Sequence, residues 1–223
     1  MIVSKEQLPD LKKNGFIVIE GVNGAGKTSV KKNILNFLKE KNKPFVDTFE
    51  PGDTSLGQSL RELLLGEKRD IKSNLAELFL FAADRAEHIE KVIKPAMQDG
   101  KIIICDRYYY STTAFQGYGR QNNLKLVESI NKIAVSDTLP DLVILLDLDA
   151  ETGLKRNKKS QVTGDTFSVD ALEKEALSFH NMIRAGFLEI AKNSKEAFVI
   201  VDASKDLESV LTEVRSIINL YLS

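Results

Sequence analysis

The stretch FIVIEGVNGAGKT, Phe16 to Thr28, decides the fold. Phe16, Ile17, Val18 and Ile19 form an unbroken apolar run, the pattern of a strand covered on both faces of a parallel sheet. The run breaks into Gly21-Val22-Asn23-Gly24-Ala25-Gly26-Lys27-Thr28, which satisfies GxxxxGK[ST] without a mismatch. Backbone N–H groups of such a loop turn inward onto phosphate oxygens, a curvature that bulky Cβ branches would block. A helix beginning near Gly26 aims its positive end at the same phosphates. Gly21, Asn23, Gly24, Ala25, Gly26 and Ser29 are therefore expected around ATP. Lys27 is expected at the β- and γ-phosphates, and the Thr28 hydroxyl on Mg²⁺. The competing reading is a Gly-rich turn with no ligand. Four fixed positions arise by chance in roughly one chain in a hundred of this length, and the strand before and helix after lower that further.

Outward from this loop, the totals are those of a soluble globular chain. Its 223 residues suit a single α/β domain, and a net charge of −1 argues against a general binder of nucleic acid. The one cysteine, Cys105, excludes an internal disulfide and a cysteine-based zinc site, and its place in Ile102-Ile103-Ile104-Cys105 reads as core. No apolar run approaches the ~18 residues that span a bilayer, and the first fourteen residues lack the apolar centre of a signal peptide. The expectation is a cytoplasmic protein with no membrane partner.

In chain order, Met1 to Asn14 reads as a short polar extension. Strands are expected at Pro44 to Phe49, Lys101 to Cys105, Leu142 to Leu146 and Ala197 to Val201. Helices are expected after the loop, around Leu56 to Leu64, from Asn74 as N-cap to Gln98, over Asn123 to Val135, from Ala150, over Val169 to Lys192 and over Leu207 to Leu222. Lys158 to Ser168 is polar and without apolar periodicity, and about 157–168 is expected to be a short lid. Strands alternating with helices predict a doubly wound, mainly parallel five-stranded sheet flanked by helices. Ligands in such sheets sit at strand carboxyl ends, where the Gly21 loop, Glu50, Asp106 and Asp147 all fall.

Two stretches suggest a second substrate. A buried strand ending in Asp106-Arg107 puts a carboxylate and a planar guanidinium fork at the site's rim, suited either to another phosphate or to a structural pair. Tyr108 to Tyr110 read as packing. On the long helix, Leu75, Leu78, Phe79, Ala82, Ala86, Ile89 and Ile93 form an apolar stripe. Arg85 lies only ~20° from Leu78 on that helix. A cation there needs a partner or a polar cavity. Phe81 is one turn before it, so a ring and a guanidinium project together, as a planar base would need; a snorkelling Arg beside a core Phe is the alternative. His88 reads as a surface or lining residue.

With these elements in order, the chain resembles the thymidylate kinases, P-loop enzymes that transfer the γ-phosphoryl of ATP to dTMP. The resemblance runs from Phe16 to the C-terminus through GVNGAGKT, EPG at Glu50, LRELL around Arg61, FAADRAEH at Phe81, DRYYYSTTAFQG at Asp106, PDLVILLDLD at Pro140 and GLKR at Gly153. It implies that Phe81 stacks on thymine, Arg85 bonds a base carbonyl, and Thr112 and Gln116 line the base pocket. It also implies that Arg61 and Arg107 hold the acceptor phosphate and that Phe115 crowds the sugar. Glu50 and Asp106 belong to the same substrate shell, with Asp106 beside Thr28 as a metal ligand. It implies a homodimer. The chain departs from the family in four places: Asn23 replaces an acid, Phe49 an arginine and Asp53 a glycine, and Ala171 stands where D-R-x-E has its arginine. Gly24 occupies the position of a P-loop catalytic arginine, so a lid cation is expected to act instead, Arg156 ahead of Lys158 and Lys159. A different nucleotide or a deoxynucleoside as acceptor, or a nucleotide-binding regulator without transfer activity, are the competing readings.

Overall fold

In the computed structural model, which describes residues 2–10, 15–162, 172–173 and 175–223, five strands form one sheet. They are β1 (Phe16–Gly21), β2 (Phe45–Phe49), β3 (Ile102–Asp106), β4 (Leu142–Asp147) and β5 (Ala197–Asp202). Every pairing is parallel, and the order is β2-β3-β1-β4-β5. β1 is central because it has no polar face: all six residues are buried, with Val18 level with Cys105 on one side and Val143 on the other. Fully burying one such aliphatic side chain stabilises by roughly 1.5–3 kcal/mol, so the strand with no face to expose goes to the middle. The chain leaves β1 toward β2 and β3, then crosses to β4 and β5. The Gly21 loop therefore emerges at the switch point, where parallel sheets open a crevice.

The helices are α1 (Lys27–Glu40), α2 (Ser55–Leu65), α3 (Asn74–His88), α4 (Lys94–Gln98), α5 (Tyr109–Thr112), α6 (Leu124–Val135), α7 (Ala150–Val162), α8 (Leu177–Asn193) and α9 (Leu207–Leu222). Among the described residues no helix is long and apolar enough to cross a membrane.

Several expectations are corrected. The helix expected from Asn74 to Gln98 is α3 and α4 joined by a π segment, Ile89–Ile93. Its cap is Ser73, not Asn74, because the Ser73 hydroxyl accepts from the Ala76 N–H at 3.2 Å. Its stripe also divides: Leu78, Ala82, Ile89 and Ile93 are buried, but Leu75, Phe79 and Ala86 are exposed. α7 runs on to Val162 through the first part of the stretch expected to lack helix. α8 starts at Leu177 rather than Val169: Leu172 and Glu173 form a turn, while Val169 itself lies outside the described residues. The N-terminal extension is docked. The Val3 N–H bonds the Phe198 carbonyl at 2.9 Å, and Leu8, on a 3₁₀ turn over Lys5–Asp10, is fully buried. Two apolar side chains with a place on the sheet edge outweigh the polarity of their neighbours. Finally, Tyr108 to Gly119 has no periodicity in the sequence but forms α5 and a second π segment, Thr113–Gly119.

Candidate active site

The phosphate loop is shaped by backbone contact. Gly24 has φ 77°, and a Cβ there would lie 2.0 Å from the Gly153 carbonyl oxygen. A Cβ on Gly153 would in turn lie 2.4 Å from the Asn23 carbonyl oxygen. The first turns of α7 press on the loop, so no side chain fits at position 24 and the glycine of GLKR is explained. Lys27 donates from Nζ to the Gly21 and Val22 carbonyls at 3.2 and 3.1 Å. Thr28 and Ser29 are exposed in the first turn of α1. Asp106 ends β3, level with Ile19 of β1, and its Oδ1 is buried with no partner among the described residues. A carboxylate oxygen without a partner and an exposed threonine hydroxyl at the end of the loop are donors of the kind that fit Mg²⁺, which takes one or two protein oxygens and fills its other positions with phosphate and water.

On one side of the loop a groove of about 660 Å³ runs along Gly24, Ala25 and Gly26 to Ala203 and Leu207. Arg156 crosses it, donating to the Ala203 carbonyl at 2.8 Å. This arginine belongs to α7, not to a separate lid. Of the expected lid, residues 163–168 lie outside the described residues, as does Ala171.

On the other side a cleft of about 540 Å³ collects the acceptor candidates. Arg61 of α2 donates to the Pro51 carbonyl at 2.7 Å and lies over the Phe49 ring, so the Phe49 departure supplies a seat for a cation. Arg107, at φ 70°, donates to the Gly21 carbonyl at 3.1 Å, the Ser111 hydroxyl at 2.9 Å and Asn23 Oδ1 at 2.5 Å, with the Phe115 ring beneath it. Asn23 also donates from Nδ2 to Glu173 at 3.3 Å. An amide accepts from the arginine and donates to the glutamate, whereas an acid here would face Glu173 with like charge. Phe81 is half-buried on one wall, and Thr112 and Gln116 are buried on another.

Beneath the cleft is a polar chain. Arg85 is 2% exposed and its Nε donates to Glu50 Oε2 at 2.8 Å, while Nη1 donates to Asn131 Oδ1 at 3.3 Å. The other Glu50 oxygen is 2.8 Å from His88 Nδ1, His88 Nε2 is 2.5 Å from the Thr48 hydroxyl, and that hydroxyl is 2.5 Å from Asp53. Glu50 lines the cleft with both of its oxygens engaged by protein groups. One expectation changes here. His88 is neither surface nor lining but buried behind Glu50. Three of the five Arg85 N–H groups are taken, two by Glu50 and one by Asn131, which leaves donors for the cleft. Next to this chain, burial and the Glu50 carboxylate push the Asp84 carboxyl up to about 6, against the pull of Arg85, His88 and the Gly52 N–H.

Sequence reasoning missed the residues that support this shell. Glu20, fully buried at the end of β1, accepts from the Tyr108 and Ser111 N–H groups at 2.9 and 3.1 Å and from the Ser111 hydroxyl at 2.6 Å. Burial pushes its carboxyl up, and Arg107 is the largest opposing influence. An acid closing an apolar strand was the available signal. Glu77, one turn before Phe81 on the same row of α3 and in the first turn of that helix, is 1% exposed. Asn131 and Leu172 gave no signal; their neighbours come from distant sequence.

A family model described as thymidylate kinase matches residues 19–214. The chain is 42% identical over 205 residues to a thymidylate kinase of Desulforapulum autotrophicum, covering 92% of this chain and 90% of that one. It is 39% identical to one of a Nostoc species, covering 93% and 96%, and 42% identical to one of Carboxydothermus hydrogenoformans, covering 90% and 94%.

Proposed function

Since the chain belongs to the thymidylate kinase family, we propose that it transfers the γ-phosphoryl group of ATP to dTMP, giving dTDP and ADP. The observation that carries this reading is the acceptor cleft itself. It adjoins the phosphate loop and is lined by two arginines for a phosphate, Arg61 and Arg107, and by Phe81, Arg85 and Gln116 for a base.

The acceptor phosphate would lie between Arg61 and Arg107, its base against Phe81, its sugar against Phe115, and Thr112 and Gln116 would close the base pocket. Donor phosphates would sit in the Gly21–Thr28 loop with Lys27 at the β- and γ-phosphates. The groove crossed by Arg156 would take the rest of the donor. Thr28 and Asp106 would hold Mg²⁺, which when bound offsets phosphate charge. Transfer is in line and direct, so the protein's part is positioning and charge stabilisation rather than covalent chemistry. Lys27, Arg107 and Arg156 are the cations placed to stabilise the moving charge.

Leu75 and Phe79 of α3 and Leu126 and Ile133 of α6 are exposed on two helices that pack together. These side chains favour a homodimer, and the cytoplasm, where both nucleotides are made, is the expected compartment.

The test is ADP release with ATP and Mg²⁺, offering dTMP, dUMP, dCMP, dGMP, the ribose form of TMP and thymidine separately. Strong turnover confined to dTMP is expected. Preference for another acceptor overturns the base-pocket assignment, and binding of both nucleotides without turnover favours a regulatory protein. The same preparation should sediment at twice the 24.9 kDa chain mass; a 24.9 kDa species would reject the dimer.

A further inference from the structure

We propose that Glu77 is a positioning residue for base selection: it fixes which end of the Gln116 amide faces the cleft. The proposal rests on the acceptor reading above and names how that same site chooses its base.

Glu77 is 1% exposed, and both of its oxygens are occupied. Oε1 accepts from Gln116 Nε2 at 3.0 Å and from Arg120 Nε at 3.3 Å, and Oε2 accepts from Arg69. A carboxylate offers acceptors only. The Gln116 amide therefore has one acceptable orientation, with its NH₂ toward Glu77, because the flipped amide would set oxygen against oxygen in a buried site. Gln116 lines the cleft, and among the described residues its Oε1 has no donor. The atom left for a ligand is thus an acceptor.

Arg85, which lines the same cleft, is fixed in the opposite sense. Its Nη1 donates to Asn131 Oδ1, and the Asn131 amide is itself oriented by donating from Nδ2 to the Tyr109 carbonyl and the Thr113 hydroxyl at 3.3 and 3.0 Å. The remaining Arg85 N–H groups are donors by nature. One acceptor and one donor match the ring N–H and an adjacent carbonyl of a pyrimidine imide. A cytosine ring reverses both: a lone pair would face Gln116 Oε1 and an amino group would face Arg85. A site built on hydrogen bonds rejects such an analogue by roughly 10⁴-fold, because its buried groups lose their partners.

With Gln at position 77 this constraint is lifted. Its one amide oxygen can serve Arg120 on the Gln116 side or Arg69 on the other, but not both, so the Gln116 orientation is no longer dictated.

The experiment compares kcat/KM for dTMP and for the 5-methyl-dCMP analogue, which keeps the methyl group and reverses only the hydrogen-bonding edge. The wild-type protein should prefer dTMP by at least about 10³-fold, and E77Q should compress that ratio by about tenfold or more, chiefly through KM. A purely structural Glu77 would lower both substrates together and leave the ratio unchanged, which overturns the proposal. If E77Q does not fold, Glu77→Asp keeps the charge for Arg69 and Arg120 but withdraws the oxygen from Gln116; an unchanged ratio there overturns the proposal equally. A wild-type protein that does not discriminate the two bases overturns the acceptor reading itself, and with it the premise. A discriminating wild type with an unaltered variant removes only Glu77's part.

Discussion

The two sides of this site are built by different means. The donor side is backbone: a run of eight residues, two glycines pressed against each other at positions 24 and 153, and a lysine bonded to carbonyls of its own loop. The acceptor side is side chains: Arg85, Glu50, His88, Thr48, Asp53 and Asn131 come from α3, α6, β2 and the loop after it, held by buried charge. A backbone site is as rigid as the strand and helix it joins. A side-chain site depends on every member keeping its partner, since a buried charge that loses one is costly. The donor side should therefore fail in rate, and the acceptor side in stability as well as binding.

The largest expected effect tests that contrast directly. Glu50→Gln removes the charge that Arg85 and His88 share, and about 3–5 kcal/mol of stability should be lost, together with a raised KM for dTMP. Denaturant unfolding reads the first, and a loss below 1 kcal/mol would put the two sides on equal footing. On the donor side Lys27→Ala should leave the unfolding midpoint in place and lower kcat by about 10²–10³-fold, the scale of removing one preorganised donor. A variant that unfolds early instead would make the lysine a structural member of the loop.

Asp84 sharpens the comparison through pH. Its carboxyl is raised from 3.8 to about 6. A raised carboxyl contributes stability below pH ~4 that is lost as pH climbs through about 6. Two units correspond to about 3 kcal/mol between the protonation states. Asp84→Asn should therefore gain stability relative to wild type between pH 4 and 7, by up to that amount. Equal pH dependence of the two proteins would show that Asp84 is not the source. The smallest effect is expected for Arg156→Ala, about tenfold. A loss in kcat alone assigns Arg156 to transfer, whereas a rise in KM for ATP with kcat intact assigns it to the groove where it meets Ala203.

The two sides were also unequally legible. Phe16 to Thr28 could be read directly because consecutive residues make the loop, and strand period and helix caps are local properties. Arg85 was legible as a problem, a cation on an apolar stripe, but its solution was not, because Glu50 and Asn131 lie 35 and 46 residues away in the chain. His88 read as a surface or lining residue for the same reason. The start of α8 was not legible either, because Leu172 lines the acceptor cleft in the fold, a contact with segments distant in the chain. Leu75 and Phe79 were read as core because the sequence carries the period of a helix but does not say which part of the helix is covered.

By itself, then, the sequence determined the strand–loop–helix with the GxxxxGK[ST] pattern, the alternation that makes a parallel sheet, and the residue types converging on its edge. Those follow from short-range sterics and periodicity. Only the tertiary structure decided which carboxylate holds which cation, which way each amide faces, and which apolar side chains stay uncovered. Such pairings depend on distances between segments far apart in the chain, which no local pattern encodes.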